Sequence, residues 1–579
     1  MRSGLRMLRG AMLLAPVGWA VFATAQAGSE VTADVIVTHA RVYTVNEKEP
    51  WAEAVAIREG KILAVGQEAD IEKRKSASTK VVDAGGRVVL PGFTDCHVHF
   101  MSGSEALTGV ILDDAKTVEE YQKRVKDFAD AHPDAPWILG RGWTYPTFGA
   151  VALPDKKFLD SVVADRPVLL EGFDGHTYWA NSKALALAHI DKATPNPPNG
   201  VIVRDAAGEA TGALKESAEG LVSKAVPPMT RERRMDALRL GLHEAAKDGV
   251  VRVHSAGGDF QYFDLYKELR EKGELTARFY IAYFLDPPEL TSTEIDTIEN
   301  ARKTYHDDWL AGGAVKTMLD GVVESHTAAM TYADTGKTTK TFWEPQKYTA
   351  AMQELDKRGF QMFTHAIGDD GVELALNAFE NMEKVNRTHD MRPRVEHIET
   401  VKAADIPRFG KLGVIASMQP LHAYPDEDTL GPWLSGAGKE REPRAWAWKS
   451  IAEDGGHLAF GSDWPVVTIN PWQGVETAVT RQTTEGTPAG GFVPGERLTV
   501  AQAIDGYTLG AAYAGHREKT EGSIEPGKLA DLIIVSQDPF KVPANQLSKT
   551  EVLLTMVGGK IVYQSAAWDA KSLSTGAGK

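Results

Sequence analysis

The 579-residue chain holds a single cysteine, Cys96, so no internal disulfide can form whatever the compartment. Basic residues are not in excess. Sixty-four Lys and Arg stand against 79 Asp and Glu, a formal net charge of −15. No Lys/Arg stripe appears, which argues against nucleic acid as a partner; the acidity is read as a solubility feature. Long apolar runs are missing with one exception. Ala11 to Thr24 follows Arg2, Arg6 and Arg9 and leads into two small-x-small cleavage sites, Ala23-Thr24-Ala25 and Ala25-Gln26-Ala27. The run has the length of a signal-peptide core and is short for a membrane span. Residues 1–27 are therefore expected to be a bacterial signal peptide that sends the chain to the periplasm or outside the cell. No cysteine follows the run to carry a lipid, and no stable membrane insertion is expected after its removal.

The length exceeds one ordinary core, so at least two domains are expected. From about Ala33 to Leu90 the text is short strands and tight turns, as in Asp34-Val35-Ile36-Val37, Ala54-Val55-Ala56-Ile57 and Lys61-Ile62-Leu63-Ala64-Val65. The far end has the same texture at Leu529 to Val535 and Val552 to Val557, with a hairpin signal at Gly558-Gly559. Neither piece makes a good core alone, so residues 28–90 and 520–579 are expected to share one composite β-domain. Between them strands and amphipathic helices alternate, the rhythm of βα units on a parallel sheet. The strands read are Val88–Cys96, Gly249–His254, Ala277–Phe284, Gly313–Met318, Phe360–His365, Arg394–Ile398, Val414–Met418 and His457–Gly461. This count predicts a (β/α)₈ barrel over residues 91–519. Thr117-x-x-Glu120, Thr230 and Thr499 read as helix starts, and Gly249 and Gly359 as stops. Residues 103–228 break the rhythm and read as an insertion over the barrel mouth.

The chemistry gathers at the ends of those strands. His97-x-His99 closes the first, and two residues apart in an extended segment put both imidazoles on one side. Lys316 lies on the fourth strand, His365 ends the fifth, His397 is on the sixth, and the eighth runs into Asp463. A barrel enzyme keeps its site at these carboxyl ends. Neutral imidazoles and a carboxylate suit zinc or another first-row divalent ion. A lysine joins such a set only as a carbamate, formed with carbon dioxide. Cys96 points away from both histidines and reads as core packing. His176, Trp179 and Asn181 in the insertion, His254 after the second strand, His326 after the fourth, and Gln419 and His422 after the seventh are candidate substrate contacts. Trp143, Trp179, Trp433 and Trp464 lean toward an apolar or aromatic substrate.

In these residues the sequence resembles the metal-dependent amidohydrolase superfamily, and within it the amidohydrolase family 3 branch that includes N-substituted formamide deformylases. The resemblance rests on Pro91-Gly92-Phe93-Thr94-Asp95-Cys96-His97-Val98-His99, Asp174-Gly175-His176, Asn181-Ser182-x-Ala184-Leu185, Val315-Lys316-x-x-x-Asp320-Gly321, His365-Ala366-Ile367-Gly368-Asp369, Arg394-Val395-Glu396-His397, Gly461-Ser462-Asp463 and the run from Gly522 to Leu532. It implies an α/β fold, a distorted (β/α)₈ TIM barrel with a discontinuous β-sandwich from the two chain ends. It also implies a metal site of His97, His99, Lys316 (carboxylated), His365, His397 and Asp463, holding one or two zinc or similar divalent ions. The expected reaction is hydrolysis of an amide or other non-peptide C–N bond of a small molecule by metal-activated hydroxide, with Asp463 as general acid and base. A lactonase, cyclic-amide hydrolase or deaminase on the same site is the alternative, and a non-catalytic binding protein on the same fold is a more distant one. A homodimer is the expected assembly.

Overall fold

The computed structural model describes residues 31–151, 153–173, 177–197, 200–387, 390–568 and 573–575; the expected signal segment 1–27 and His176 lie outside the described residues. No helix among the described residues is long and apolar enough to cross a membrane.

Eight parallel strands form the central sheet: Phe93–Val98, Val250–Ser255, Arg278–Phe284, Leu310–Met318, Gln361–Ala366, Arg394–His397, Ile415–Met418 and His457–Phe460. They pair in chain order, first to eighth. Nearly every position on them is buried, because the barrel interior covers one face and the helices the other. All eight strands expected from the apolar runs are present. Most boundaries shift by one to three residues, and one differs in kind. Val88–Pro91 belongs to the outer β-sandwich, pairing with Arg41–Tyr43 and Leu532–Val535. The barrel strand begins only at Phe93, past Gly92, whose added Cβ would meet Val251 at 2.5 Å.

Among the described residues no ladder joins the eighth strand to the first. Side-chain and loop hydrogen bonds close that seam. The Asp95 carboxylate accepts from Ser462 N at 3.0 Å and from Ser462 Oγ, and Asp463 N donates to His97 O at 2.6 Å. Burial pushes the Asp95 carboxyl up to about 7.

The two chain ends meet as expected. One sheet orders Lys560–Gln564, Val552–Val557, Leu532–Val535, Val88–Pro91, Arg41–Tyr43 and Trp51–Ala52; the other orders Leu573–Thr575, Lys80–Asp83, Val35–Thr38, Ala54–Arg58 and Lys61–Gly66. Val37, Val55 and Ile57 of one pack with Val89, Leu532, Ile534 and Leu554 of the other, a single apolar layer between two sheets. Gly558 and Gly559, at φ 56° and 73°, turn the hairpin that the sequence marked.

Buried ion pairs tie this domain to the barrel. Arg278 grips Asp531 through Nε at 2.7 Å and Nη2 at 3.0 Å, and Arg252 binds the Glu521 carboxylate. Both arginines are essentially inaccessible. Asp531→Ala leaves the Arg278 guanidinium buried without its carboxylate, which should cost about 3–5 kcal/mol. Thermal unfolding of the variant should show a clear drop in midpoint; an unchanged midpoint counts against the tie.

The segment between the first and second barrel strands carries its own six-stranded sheet, ordered Gly200–Arg204, Ala210–Glu216, Thr177–Ala180, Val168–Gly172, Ile138–Trp143 and Val110–Ile111. The helix Val118–Ala131 starts at the capping box of Thr117 and Glu120. Arg141, on the fifth strand of that order, donates to the carbonyls of Phe173 and Pro465, so this sheet touches the loop that carries Asp463.

Candidate metal centre

Four histidines, a lysine and an aspartate converge at the carboxyl ends of the barrel strands. His97 and His99 both aim Nε2 at Asp463 Oδ1, at 3.6 and 3.3 Å. The Lys316 amine lies 3.2 Å from His97 Nε2. The His397 ring stands between those of His97 and His365, at centroid distances of 4.8 and 4.4 Å, and its Nδ1 is 4.0 Å from Asp463 Oδ2. His422 joins from the loop after the seventh strand, stacked on His397 at 5.6 Å with Nε2 3.7 Å from Asp463 Oδ2. Two groups of three ligand-capable atoms, on His97, His99 and Asp463 and on His397, His422 and Asp463, each fall within 4.8 Å and share the aspartate.

Acceptors behind the rings decide which nitrogen faces the centre. His97 Nδ1 donates to Glu396 Oε2 at 2.6 Å, His99 Nδ1 to Gly257 O at 3.3 Å, and His365 Nε2 to Gly321 O at 3.3 Å. Each bond fixes one tautomer and leaves the other nitrogen as a lone-pair donor. Glu396 is in turn held by Arg394, through Nε at 2.8 Å and Nη2 at 2.9 Å, with all three side chains inaccessible.

The backbone is bent to reach this arrangement. His397 and Asp463 adopt left-handed φ of 74° and 62°, unusual away from glycine and concentrated at functional sites. Gly461 lets the eighth strand pass the first; a Cβ there would come within 2.4 Å of His97 N.

Electrostatics keep His97, His365 and His397 unprotonated. Burial, helped by the Lys316 charge, takes His97 down to about 4 and His365 down to about 3. His397 is held well below the usual imidazole range, again by burial first. Burial alone would raise Asp463, but the fields of His97, His99 and His422 override it and hold the carboxylate ionised. Burial lowers Lys316 to about 8.

These shifts predict acid sensitivity. In the unfolded chain a histidine charges below about pH 6.5, whereas folded His365 stays neutral down to about 3. The unfolded state thus binds more protons, so the contribution of His365 to stability is full above about pH 6.5 and is lost as pH falls, by about 1.4 kcal/mol per pH unit. Asp95 and Asp320, both raised to about 7 by burial, pull the other way, so a difference measurement is needed. Between chelator-treated wild type and His365→Gln, the stability difference should move against wild type as pH drops below about 6.5. A constant difference contradicts a neutral buried His365.

The structure gathers His97, His99, Lys316, His365, His397, Asp463 and His422 and leaves other expected contacts elsewhere. His254 is a layer deeper, inaccessible between Cys96 Sγ at 3.5 Å and Arg394 Nη1 at 3.2 Å. Asn181 is a helix cap: it accepts from Ala184 N and Val168 N and donates to Val163 O and Arg166 O. Trp179 is core, with Nε1 on Asp155 O at 3.2 Å. His326 is an exposed turn residue paired with Asp334 at 2.9 Å. Trp143 and Trp433 are fully buried and spend their N–H groups on Leu170 O and Glu399 Oε2, while Trp464 is nearly covered and lies against Gly103. The tryptophans therefore give no reading of the substrate. Cys96 packs in the core as expected, with Ile415, Ala459 and Ala511, but inside the barrel rather than on the face away from His97.

Sequence reasoning passed over the residues behind the histidines. In the sequence Glu396 stands out only as the neighbour of His397. Asp320 accepts from Ala329 N, Ile367 N and Gly368 N and lies 3.6 Å from His365 Nε2. A buried carboxylate inside each strand-end motif was the available signal.

Comparison with known proteins agrees with this geometry. Residues 80–563 match the family described as the amidohydrolase family. The chain belongs to the amidohydrolase family. This amidohydrolase, a hydrolase by that membership, is 32% identical to protein LONG AFTER FAR-RED 3 of Arabidopsis thaliana over 95% of each chain. It is 30% identical to the putative amidohydrolase YtcJ of Bacillus subtilis, over 91% of this chain and 98% of that one. With the N-substituted formamide deformylase of Arthrobacter pascens it shares 26% identity, over 92% and 98%. Its fold matches that of an uncharacterized metal-dependent hydrolase from Pyrococcus horikoshii, with a TM-score of 0.71 at 23% identity over 88% of this chain and 99% of that one. The superfamily resemblance read from the motifs and the barrel-plus-sandwich architecture are thus both confirmed.

Proposed function

We propose that this amidohydrolase is a metal-dependent hydrolase that cleaves an amide or other non-peptide C–N bond of a small molecule. The observation that carries the reading is a set of buried ligand-capable atoms without partners among the described residues: His397 Nδ1, His422 Nε2 and Asp463 Oδ1. Buried polar groups are nearly always satisfied, so two orphan imidazole nitrogens beside an orphan carboxylate oxygen fit a cation. His97, His99, Lys316, His365, His397 and Asp463 would hold one or two divalent ions, zinc by the character of the donors. When bound, such an ion supplies an acidified water and polarises the acyl oxygen. Burial lowers Lys316 to about 8, so its neutral amine, the form that adds to carbon dioxide to give a carbamate with release of a proton, is more accessible than in a free lysine. Asp463, ionised and two-sided, orients the attacking water, takes its proton and returns it to the leaving nitrogen. The name of the Arthrobacter relative supports the C–N assignment.

Elemental analysis of the purified protein should return about one or two metals per chain. A hydrolysis screen over formamides, N-acyl amino acids, aryl amides, dipeptides and lactones should then show turnover on an amide that chelation abolishes. A chain that takes up no metal after supplementation sinks the proposal.

A further inference from the structure

The seventh barrel strand sends alternate side chains into the barrel. Ile415 packs there against Cys96, Ala459, Ala511 and Ala514, and Ser417 Oγ accepts from Arg394 Nη2 at 2.8 Å. Gln419 is next in that series. Its backbone is still extended, at φ −113° and ψ 102°, so the alternation runs through it and its carboxamide enters the layer above Ser417, on the mouth side. Ser417 pairs with Ala459 on the eighth strand, which sets Gly461 beside Gln419. That neighbour has no side chain to cover or pair with the carboxamide.

Gln419 is fully inaccessible, and among the described residues neither its Oε1 nor its Nε2 has a partner. Leaving both polar atoms of a buried amide unsatisfied is costly, and folded chains rarely do it without a functional reason. The orphaned atoms of His397, His422 and Asp463 are accounted for by a cation and a proton on the reading above. An uncharged carboxamide serves neither purpose well. What it offers is one donor and one acceptor side by side.

We propose that Gln419 reads the reacting group of the substrate as a donor–acceptor edge: Nε2–H donates to its carbonyl while the adjacent substrate N–H donates to Oε1. This rests on the amide-hydrolase reading above and narrows it. Both Gln419 atoms are satisfied at once only by a group whose N–H and C=O lie on the same side, as in a primary amide, a lactam or a cyclic ureide. An N-alkylated lactam, an ester or an open trans amide leaves one atom of the pair unmatched, and a site built around a hydrogen bond discriminates strongly against a ligand that lacks it.

The test uses the metal-loaded full chain and two probes, δ-valerolactam and N-methyl-δ-valerolactam, with binding followed by calorimetry or ligand-observed NMR. Wild type should bind the N–H lactam about tenfold or more tightly than its N-methyl analogue. Gln419→Leu and the closely isosteric Gln419→Met should bind the two alike, with metal content unchanged. Both variants should unfold at the wild-type midpoint or above it, because an unsatisfied polar group has been removed. Equal binding of the probes by wild type, no binding of the lactam, preference retained in the variants, or a marked loss of stability in both variants overturns the proposal. Turnover is scored separately: a wild type that prefers the N–H lactam but hydrolyses nothing keeps this inference and removes the hydrolase reading.

Discussion

Asp463→Asn should retain bound metal and lose turnover by about 10²–10⁴-fold, the range supplied by a positioned proton carrier. The substitution suits this position. Asp463 holds a left-handed φ of 62°, which asparagine tolerates as readily as aspartate, so the loop keeps its course. Its backbone N–H still donates to His97 O. The proton-accepting oxygen is what disappears. In wild type the carboxylate faces His97 and His99 through Oδ1 and His397 and His422 through Oδ2, and the surrounding imidazoles hold it ionised. An amide is neutral and its nitrogen has no proton affinity to match. The decisive pair of measurements is metal content by elemental analysis and kcat on whichever substrate the screen returns. Unchanged kcat removes Asp463 from proton transfer. Lost metal with lost kcat makes it a ligand first and leaves its base role unsupported.

The fold was legible because its signals are local. Eight apolar runs separated by capped amphipathic helices can be read along the chain, and the caps at Thr117, Thr230 and Thr499 accept from the backbone N–H three residues on. Among the site residues, histidines at strand ends were legible because few side chains bind a cation well and the barrel fixes where strand ends meet. The polar residues of the insertion were misread for a related reason: residue type says what a side chain can do and nothing of where it points. Asn181 shows this. Asn-Ser-x-Ala before an apolar run is also an N-cap signature, and the cap is what forms. His254 was misplaced because strand-end register is uncertain by a residue or two; the strand runs on to Ser255, and its histidine belongs to the layer beneath the centre. The supports behind the metal candidates were hidden by distance. Glu396 meets His97 across 299 residues of sequence, and Asp95 closes the barrel seam against Ser462 across 367. No local pattern announces contacts of that range.

Glu396→Gln tests the largest of those hidden contributions. Glu396 accepts from His97 on one side and Arg394 on the other, fully withdrawn from solvent; burial opposes its charge, and the Arg394 and His97 fields override that and keep it ionised. Glutamine removes the negative charge and offers an amide group that can present N–H to His97 Nδ1, reversing the tautomer that leaves Nε2 free. Arg394 keeps Ser417 Oγ and Cys96 O as partners but loses its counter-ion in the barrel interior. Two effects should follow. Metal affinity should fall about 10- to 100-fold, as when other carboxylates behind ligating histidines are removed. Stability should fall by about 3–5 kcal/mol from the stranded guanidinium. Glu396→Asp keeps the charge with a shorter reach, so it should recover most of the stability and only part of the affinity. Competition against a chromogenic chelator reads the first quantity and denaturant unfolding of the metal-free protein the second. A Glu396→Gln protein that binds metal as tightly as wild type would show that His97 needs no carboxylate behind it, and the network from Arg394 through Glu396 to His97 would then be a feature of the barrel core alone.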